Sequence, residues 1–255
     1  MAVAQVLLRC EEERRWLRVA PGRIGHLFPR LPCQSEYNRR LRALGPVLVQ
    51  AAGWLARATP SYAELLRLMD GTPVRCGASR VTVNRSGMGE MAAYGRDASH
   101  HAFYWGAKLL LITTPDGLVV AFSLANPKEL DERKQAIHLL SLATIAAGPC
   151  PIVADKGFAG AGIEAAAATL GHPIIRPTRH DEPTRPNQFP GWLRQRIEAI
   201  IWTLKNQLSL ERHNARTTDG LYTRTSQRIC ALNAAIWHNW LTDQPIKRSL
   251  TAYDH

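Results

Sequence analysis

A short apolar run that ends abruptly in a carboxylate constrains the fold of this chain more than any other feature. Residues 151–154 read Pro-Ile-Val-Ala, and Asp155 and Lys156 follow directly. A run this short and this apolar is typical of a central strand that is buried on both faces. Open α/β sheets place ligand-binding residues at the ends of such strands, although an aspartate here also suits a turn or a helix cap. The run therefore favours an α/β fold, with Asp155 as a candidate site residue.

The segments around this run alternate between strand-like and helix-like patterns. Residues 101–114 and 118–126 are strand-like. The Pro-Asp-Gly at 115–117 between them is typical of a hairpin turn, because proline presets φ and glycine accepts a positive φ. The elements expected after the hairpin are a helix over 131–147, a helix over 161–170 and a strand over 172–177. This order predicts a mixed sheet flanked by helices.

The parts of the chain on either side are predominantly helix-like. Residues 1–62 are rich in arginine, and leucines recur at helical spacing within 37–58. A polar loop over 179–190 leads into a helix over 191–211, and a last helix is expected over 224–241. The chain therefore divides into a small helical basic N-terminal segment (1–62), a central domain (63–241) and a C-terminal tail (242–255).

The balance of charge points to a polyanionic partner. Lys and Arg number 32 against 21 Asp and Glu, which gives a formal net charge of +11 at pH 7. Nucleic acid is the first candidate and an anionic membrane surface is the second. The chain has no long apolar run and no secretory signal pattern, so we expect no membrane partner and a cytoplasmic location. The five cysteines are scattered without zinc-ligand spacing, which fits reduced thiols.

A second aspartate, Asp70, also follows a mostly apolar segment. Residues 65–69 are apolar except for Arg67, and Asp70 is followed by Gly71-Thr72-Pro73. An Asp-Gly pair in that context is more often a turn than a catalyst, so the local pattern alone favours a turn.

Glu198 has a stronger case, because its helix can be interpreted geometrically. The apolar stripe of that helix consists of Leu193, Ile197, Ile200, Leu204 and Leu208. Arg194, Glu198 and Lys205 share a neighbouring face, and a solvated ladder of charges is the common alternative. Because Ile201 and Trp202 flank the glutamate, we expect Glu198 to be partly buried. A partly buried carboxylate needs a cation, either Arg194 or a bound metal.

Several short strings occur in a recognisable order. They are Gly-His-Leu-Phe-Pro-Arg-Leu-Pro (25–32), Asp-Gly-Thr-Pro-Val (70–74), His-Ala-Phe-Tyr-Trp-Gly-Ala-Lys-Leu (101–109), Ala-Asp-Lys-Gly-Phe (154–158), Arg-Ile-Glu with a later Lys (196–205), Leu-Glu-Arg-His-Asn-Ala-Arg (210–216) and Gly-Leu (220–221). In this order and spacing the chain resembles DDE-type insertion-sequence transposases over nearly its whole length.

The resemblance implies a ribonuclease H-like core over 63–241 and a triad of catalytic, metal-binding carboxylates. The first aspartate falls on Asp70, the second on Asp155 and the glutamate on Glu198. Such a triad holds two Mg²⁺ ions, for which Mn²⁺ can substitute, and cleaves transposon ends before strand transfer into target DNA. The implied partner is double-stranded DNA, as terminal inverted repeats and as target, bound by a homodimer.

The chain departs from the family pattern in two places. Members of the family usually have a longer helical N-terminal segment, so residues 1–62 are expected to be a DNA-binding unit that begins late. Residues 76–91 do not align with the family pattern. The first departure bears on the recognition of transposon ends more than on the chemistry.

Basic residues near the proposed acids are expected to bind DNA phosphates. They are Lys156, Arg194, Arg196, Lys205 and Arg212, and for each one a solvated surface charge is the alternative. We expect Trp105 and Trp202 to lie in the core rather than to stack on bases. The pair His100-His101 is interpreted as structural, because adjacent residues of a strand point to opposite faces.

Three functions are compatible with the sequence. The first is a transposase that cleaves and joins DNA, and the second is a ribonuclease H-like nuclease that hydrolyses without joining. The third is an inactive DNA-binding remnant whose acids are structural. The third differs from the others in not requiring the three carboxylates to meet in space.

Overall fold

A mixed β-sheet forms the centre of the molecule. The computed structural model describes residues 1–97, 102–129, 131–142, 145–183 and 189–254. In these ranges the strands are β1 (Arg67–Gly77), β2 (Ala93–Asp97), β3 (Ala102–Thr113), β4 (Val119–Ala125), β5 (Ile152–Ala154) and β6 (Ile174–Ile175). Their order is β2-β3-β1-β5-β6, and β4 also pairs with β3. Because β1 is antiparallel to β3 but parallel to β5, the predicted mixed sheet of an α/β fold is confirmed.

Helices cover both faces of this sheet, as the ribonuclease H-like fold class requires. They are α1 (Ala2–Leu7), α2 (Glu13–Ile24), α3 (Gln34–Ala43), α4 (Gly45–Arg57), α5 (Arg80–Asn84), α6 (Glu132–Leu140), α7 (Ala161–Thr169), α8 (Gly191–Trp202) and α9 (Thr218–Leu241). Alternate residues of a strand face opposite sides. Met69 accordingly packs in one core with α6 and α7, whereas Leu68 packs in the other with α4, α8 and α9.

The hairpin predicted around Pro115-Asp116-Gly117 is confirmed. It joins β3 and β4, which pair in antiparallel register from Lys108 with Ala125 to Thr113 with Val119. Gly117 has a φ of +102°, and its N–H donates to the Thr114 carbonyl oxygen at 3.0 Å. A side chain would be strained in that conformation, so the glycine closes the turn.

The first 62 residues are helical, as expected, and their helices have a small core of their own. Trp16 is fully buried in it together with Tyr37. The Tyr37 hydroxyl donates to Gln5 Oε1 at 2.7 Å, and Gln227 Nε2 in α9 donates to the Ala2 carbonyl oxygen at 2.7 Å. The first bond joins α3 to α1, and the second ties α1 to α9. The division of the chain into domains stays a prediction. Among the described residues, no helix has the length and apolar character needed to cross a bilayer.

Several boundaries differ from those expected. The helix expected over 131–147 ends at Leu140 with Asp131 as its N-cap. The helix expected within 37–58 is two helices, because Gly45-Pro46 begins a new one, as proline at a first turn favours. The last helix begins at Thr218, where the Thr217 hydroxyl caps it. The pair His100-His101 and part of the 179–190 loop lie outside the described residues.

The helix expected over 191–211 also differs in its second half. It is α-helical only to Trp202 and then widens into a π-helical turn, Thr203–Gln207. The turn carries Lys205, one of the residues expected to bind DNA. Single π-turns inside helices are frequent at functional sites.

Candidate active site

Strand pairing places Asp70 and Asp155 side by side. Met69 of β1 pairs with Ala154 of β5 in parallel register, and each is followed directly by its aspartate. Neighbouring strands are about 4.8 Å apart. The two carboxylates therefore lie side by side at the level where β5 ends and β1 continues.

The local structures of the two aspartates differ. Asp155 follows the end of β5, and its Oδ1 accepts the Lys156 N–H at 2.7 Å, which caps a short 3-10 turn. Asp70 lies inside β1, where it pairs with Leu111 of β3. The turn predicted from the Asp70-Gly71 pattern is not formed, because β1 continues through these residues and pairs with β3 as far as Gly77.

Asp70 is the most perturbed carboxyl group of the site. The pKa of Asp70 is raised to about 7, mainly by burial and also by the negative charges of Asp155, Glu132 and Glu198. A hydrogen bond from the Gly71 N–H to Asp70 Oδ1, at 2.8 Å, opposes this increase. A buried carboxylate without a cationic partner is unfavourable in its charged form, so a bound cation would stabilise it.

Glu198 is more exposed than expected. Its side chain is 55% exposed, and its Oε1 accepts from Arg194 Nε at 3.0 Å. The expectation that Glu198 is partly buried was wrong, because the face of α8 beyond the apolar stripe is open. Trp202, on that face, is 56% exposed. The expectation that Trp202 lies in the core was also wrong, whereas Trp105 is buried as expected.

The three acids line one cavity of about 610 Å³, together with Arg194. They come from β1, from the end of β5 and from α8, so segments far apart in the sequence meet there. In the described part of the chain, no three His, Cys, Asp or Glu side chains are already grouped closely enough to hold a metal ion. The donors nevertheless fit Mg²⁺, which prefers oxygen ligands, retains several waters and needs few carboxylates.

The five basic residues expected to bind DNA do not share one location. Arg194 and Lys205 line the cavity, and Lys156 is exposed directly beside Asp155. Arg196 instead lies over the Trp192 ring, with its guanidinium carbon 5.8 Å from the centroid. Arg212 is paired with Glu11, with 3.2 Å between Nη1 and Oε1. The expected clustering around the acids therefore holds for part of the set only.

Sequence reasoning missed a fourth acid near Asp70. Glu132, the first residue of α6, pairs with Lys108 at 2.9 Å, and its charge raises the pKa of Asp70. Its Oε1 lies 2.2 Å from the place where a Cβ on Gly71 would be, so a side chain at position 71 would have to displace the end of this glutamate. The only sequence signal was the position of Glu132 directly after the helix-capping Asp131. Arg75, a further cation on the cavity wall, was missed as well.

Comparison with known protein families gives an independent result. The model of the transposase DDE domain matches residues 62–234, which is more than half of the chain. Searches of curated proteins and of solved structures returned no significant match. The matched range begins before β1 and ends within α9, so it includes all six described strands and each of the three acids. The chain belongs to the transposase DDE domain family.

Proposed function

We propose that this protein cleaves DNA at transposon ends and transfers the strands into target DNA, with Asp70, Asp155 and Glu198 as its catalytic triad. The observation that supports this most is the meeting of the three acids in one cavity, with two of them on neighbouring strands in register. A DNA-binding remnant with purely structural acids gives no reason for this convergence.

Asp70, Asp155 and Glu198 would hold two Mg²⁺ ions, for which Mn²⁺ could substitute. When bound, such a pair activates the attacking oxygen and stabilises the leaving oxygen of an in-line displacement. The oxygen of water attacks phosphorus, the bond to the 3′ oxygen breaks, and a 3′-hydroxyl is left on the transposon end. That hydroxyl then attacks a phosphate of the target and displaces a 3′ oxygen there. No protein nucleophile is needed.

The chain's own cations have a defined part in this scheme. Arg194 neutralises Glu198 while the carboxylate has no metal, and it can turn to a DNA phosphate afterwards. Arg75 lines the same cavity and attracts the phosphate backbone without reading sequence. Lys205 also lines it but is paired with Glu211 at 3.1 Å, so it contributes only when a phosphate replaces that carboxylate. The net charge of +11 adds long-range attraction to double-stranded DNA, both terminal repeats and target. Because two ends must be paired, the working complex is a homodimer.

The first experiment replaces Asp155. We expect Asp155→Asn to abolish Mg²⁺- or Mn²⁺-dependent cleavage of the element's own ends, and to leave DNA affinity largely intact, because the cations are retained. Cleavage is followed on end-labelled duplexes and affinity by gel shift. Undiminished cleavage by this variant would contradict the proposed triad.

A second experiment separates a transposase from a nuclease with the same triad. The substrate is a duplex with pre-cut ends and a free 3′-hydroxyl, supplied with a target plasmid. Joined product supports strand transfer, whereas hydrolysis without joining supports a ribonuclease H-like nuclease.

A further inference from the structure

A buried arginine lies beside the strand that ends in Asp155. Arg176 directly follows β6, where Ile175 pairs with Val153 of β5, two residues before Asp155. Its side chain is only 1% exposed. Arginine is almost never fully buried unless it is paired, so the groups around this guanidinium indicate what it holds in place.

The guanidinium of Arg176 joins two segments of the chain. Its Nε donates to Glu164 Oε1 of α7 at 2.8 Å, and its Nη1 and Nη2 donate to Glu182 Oε2 and Oε1 at 2.7 and 2.8 Å. Nη1 also donates to the Pro177 carbonyl oxygen at 3.1 Å. A planar fork of donors is directional and fixes its partners more closely than an apolar side chain would. Arg176 therefore anchors residues 177–182 to α7.

Arg179, within the anchored segment, contacts the turn that begins at Asp155. Its N–H donates to Glu182 Oε2 at 3.2 Å, which fixes its backbone. Its Nε donates to the Lys156 carbonyl oxygen at 3.1 Å. The same oxygen accepts the Ala159 N–H at 3.2 Å, the hydrogen bond that closes the 3-10 turn after Asp155. Arg179 thus braces the turn whose first N–H, that of Lys156, is bound by the Asp155 carboxylate.

We propose that Arg179 is a positioning residue for Asp155 and that the buried Arg176 holds it in place through Glu182, an inference that rests on the proposed function for the role of Asp155 as a metal ligand. A carboxylate that caps a turn takes its direction from that turn. Groups that orient a metal ligand without touching the metal strongly influence metal affinity. Ion pairs as deeply buried as those of Arg176 often add little net stability, so a role in fixing geometry accounts for this network better than stability does.

The charge of Arg179 and its position predict opposite effects on metal binding. A cation beside the site repels Mg²⁺ or Mn²⁺, so if Arg179 acted only as a charge, its removal would tighten metal binding. If it positions Asp155, the same removal weakens metal binding. A role in binding a DNA phosphate alone would lower DNA affinity without weakening metal binding by the DNA-free protein.

The test measures Mn²⁺ binding to the DNA-free protein by isothermal titration. We expect Arg179→Met to weaken binding by about 2-fold to 10-fold, the range for the loss of one hydrogen bond. Arg179→Lys keeps a donor of similar reach and should bind nearly as the parent does. Arg176→Lys keeps the charge but lacks the fork, so it should weaken binding in the same direction as Arg179→Met. Arg57→Met, at an exposed position that does not line the cavity, is the control and should bind as the parent does.

Amide hydrogen exchange of the metal-free protein tests the positioning separately. Peptides that contain residues 156–159 should exchange faster in Arg179→Met than in the parent, whereas peptides from β3 should not change. Unchanged or tighter Mn²⁺ binding by Arg179→Met, or unchanged exchange of residues 156–159, would overturn the proposal. A parent protein that binds no Mn²⁺ would contradict the proposed function instead, and the exchange measurement would still decide whether Arg179 holds the turn.

Discussion

Arg194 and Glu198 are joined by an ion pair across one helical turn, with 3.0 Å between Nε and Oε1. The side chains are 53% and 55% exposed, so solvent screens the pair and its contribution to stability is small. Under the proposed function the pair would compete with metal binding, because a metal ion at Glu198 would have to displace the guanidinium from this carboxylate.

The first prediction concerns that competition. Arg194→Gln should tighten the binding of Mn²⁺ to the DNA-free protein by up to about 5-fold, since an exposed pair contributes about 0.2–1 kcal/mol. The same variant should bind duplex DNA more weakly, because a cavity cation is lost. Isothermal titration with Mn²⁺ and a gel shift measure the two effects. Arg57→Gln, which removes an exposed arginine that does not line the cavity, is the control. Weaker metal binding by Arg194→Gln would contradict the competition.

The second prediction concerns pH. The pKa of Asp70 is about 7 in the folded protein against 3.8 for an ordinary aspartate, so the folded state holds the proton more tightly. Stability of the metal-free protein should therefore fall as pH rises from about 4 to about 7, by up to about 4 kcal/mol. Asp70→Asn should match the parent near pH 4 and exceed it near pH 8, as measured by urea denaturation in EDTA.

The effect of added Mg²⁺ on stability is a second test of the high pKa of Asp70. Mg²⁺ should restore stability to the parent near pH 8 but not to Asp70→Asn, because the metal takes the place of the proton. Asp243→Asn alters a fully exposed aspartate and should show no comparable difference from the parent. A parent protein whose stability in EDTA rises over the same pH range would contradict the assignment.

The third prediction concerns the contact between Gly71 and Glu132. Gly71→Ala should cost up to about 1 kcal/mol, because the new Cβ displaces the end of the Glu132 side chain and breaks its partly exposed pair with Lys108. In the background Glu132→Ala the same substitution should cost less, since the obstructing carboxylate is gone. Chemical denaturation of the four proteins gives the coupling energy, expected at about 0.5 kcal/mol or more. Additive effects would show that the two residues do not interact.

The fourth prediction concerns the buried Arg67 at the start of β1. Its side chain is fully buried and donates to the carbonyl oxygens of Tyr62, Glu64, Leu66 and Ile145. Arg67→Met should cost about 3 kcal/mol or more, because it leaves buried acceptors without donors. Thermal denaturation measures the loss, and Arg57→Met at an exposed position serves as the control. A loss as small as the control's would contradict this role.

The elements that local pattern defines were predictable from the sequence. The strand ending in Asp155 and the Pro-Asp-Gly hairpin follow from apolar runs and turn chemistry within a few residues, and both are present. The position of Asp70 was not predictable locally, because its assignment to strand or turn depends on pairing with β3, about forty residues away. The resemblance to a known family, rather than the local pattern, placed it on a core strand.

The resemblance anticipated that Asp70, Asp155 and Glu198 come together, and they line one cavity. The surroundings of that cavity were less predictable. Periodicity placed Glu198 beside the apolar stripe of α8, but how far the open face of the helix is covered depends on tertiary packing. Trp202 was assigned to the core for that reason and is exposed. The approach of Glu132 to Asp70 arises from the docking of α6 over Gly71, which no spacing within one segment encodes.

The hydrogen bond from Gln227 to Ala2 joins residues 225 positions apart. A ribosome adds about 5–20 residues per second, so α1 leaves it roughly ten seconds to a minute before α9 exists. During that interval the faces of α1 and α4 that pack against α9 have no partner. We therefore expect nascent chains that stop before α9 to aggregate or bind chaperones, and the whole protein to complete its fold only after release of its last helix.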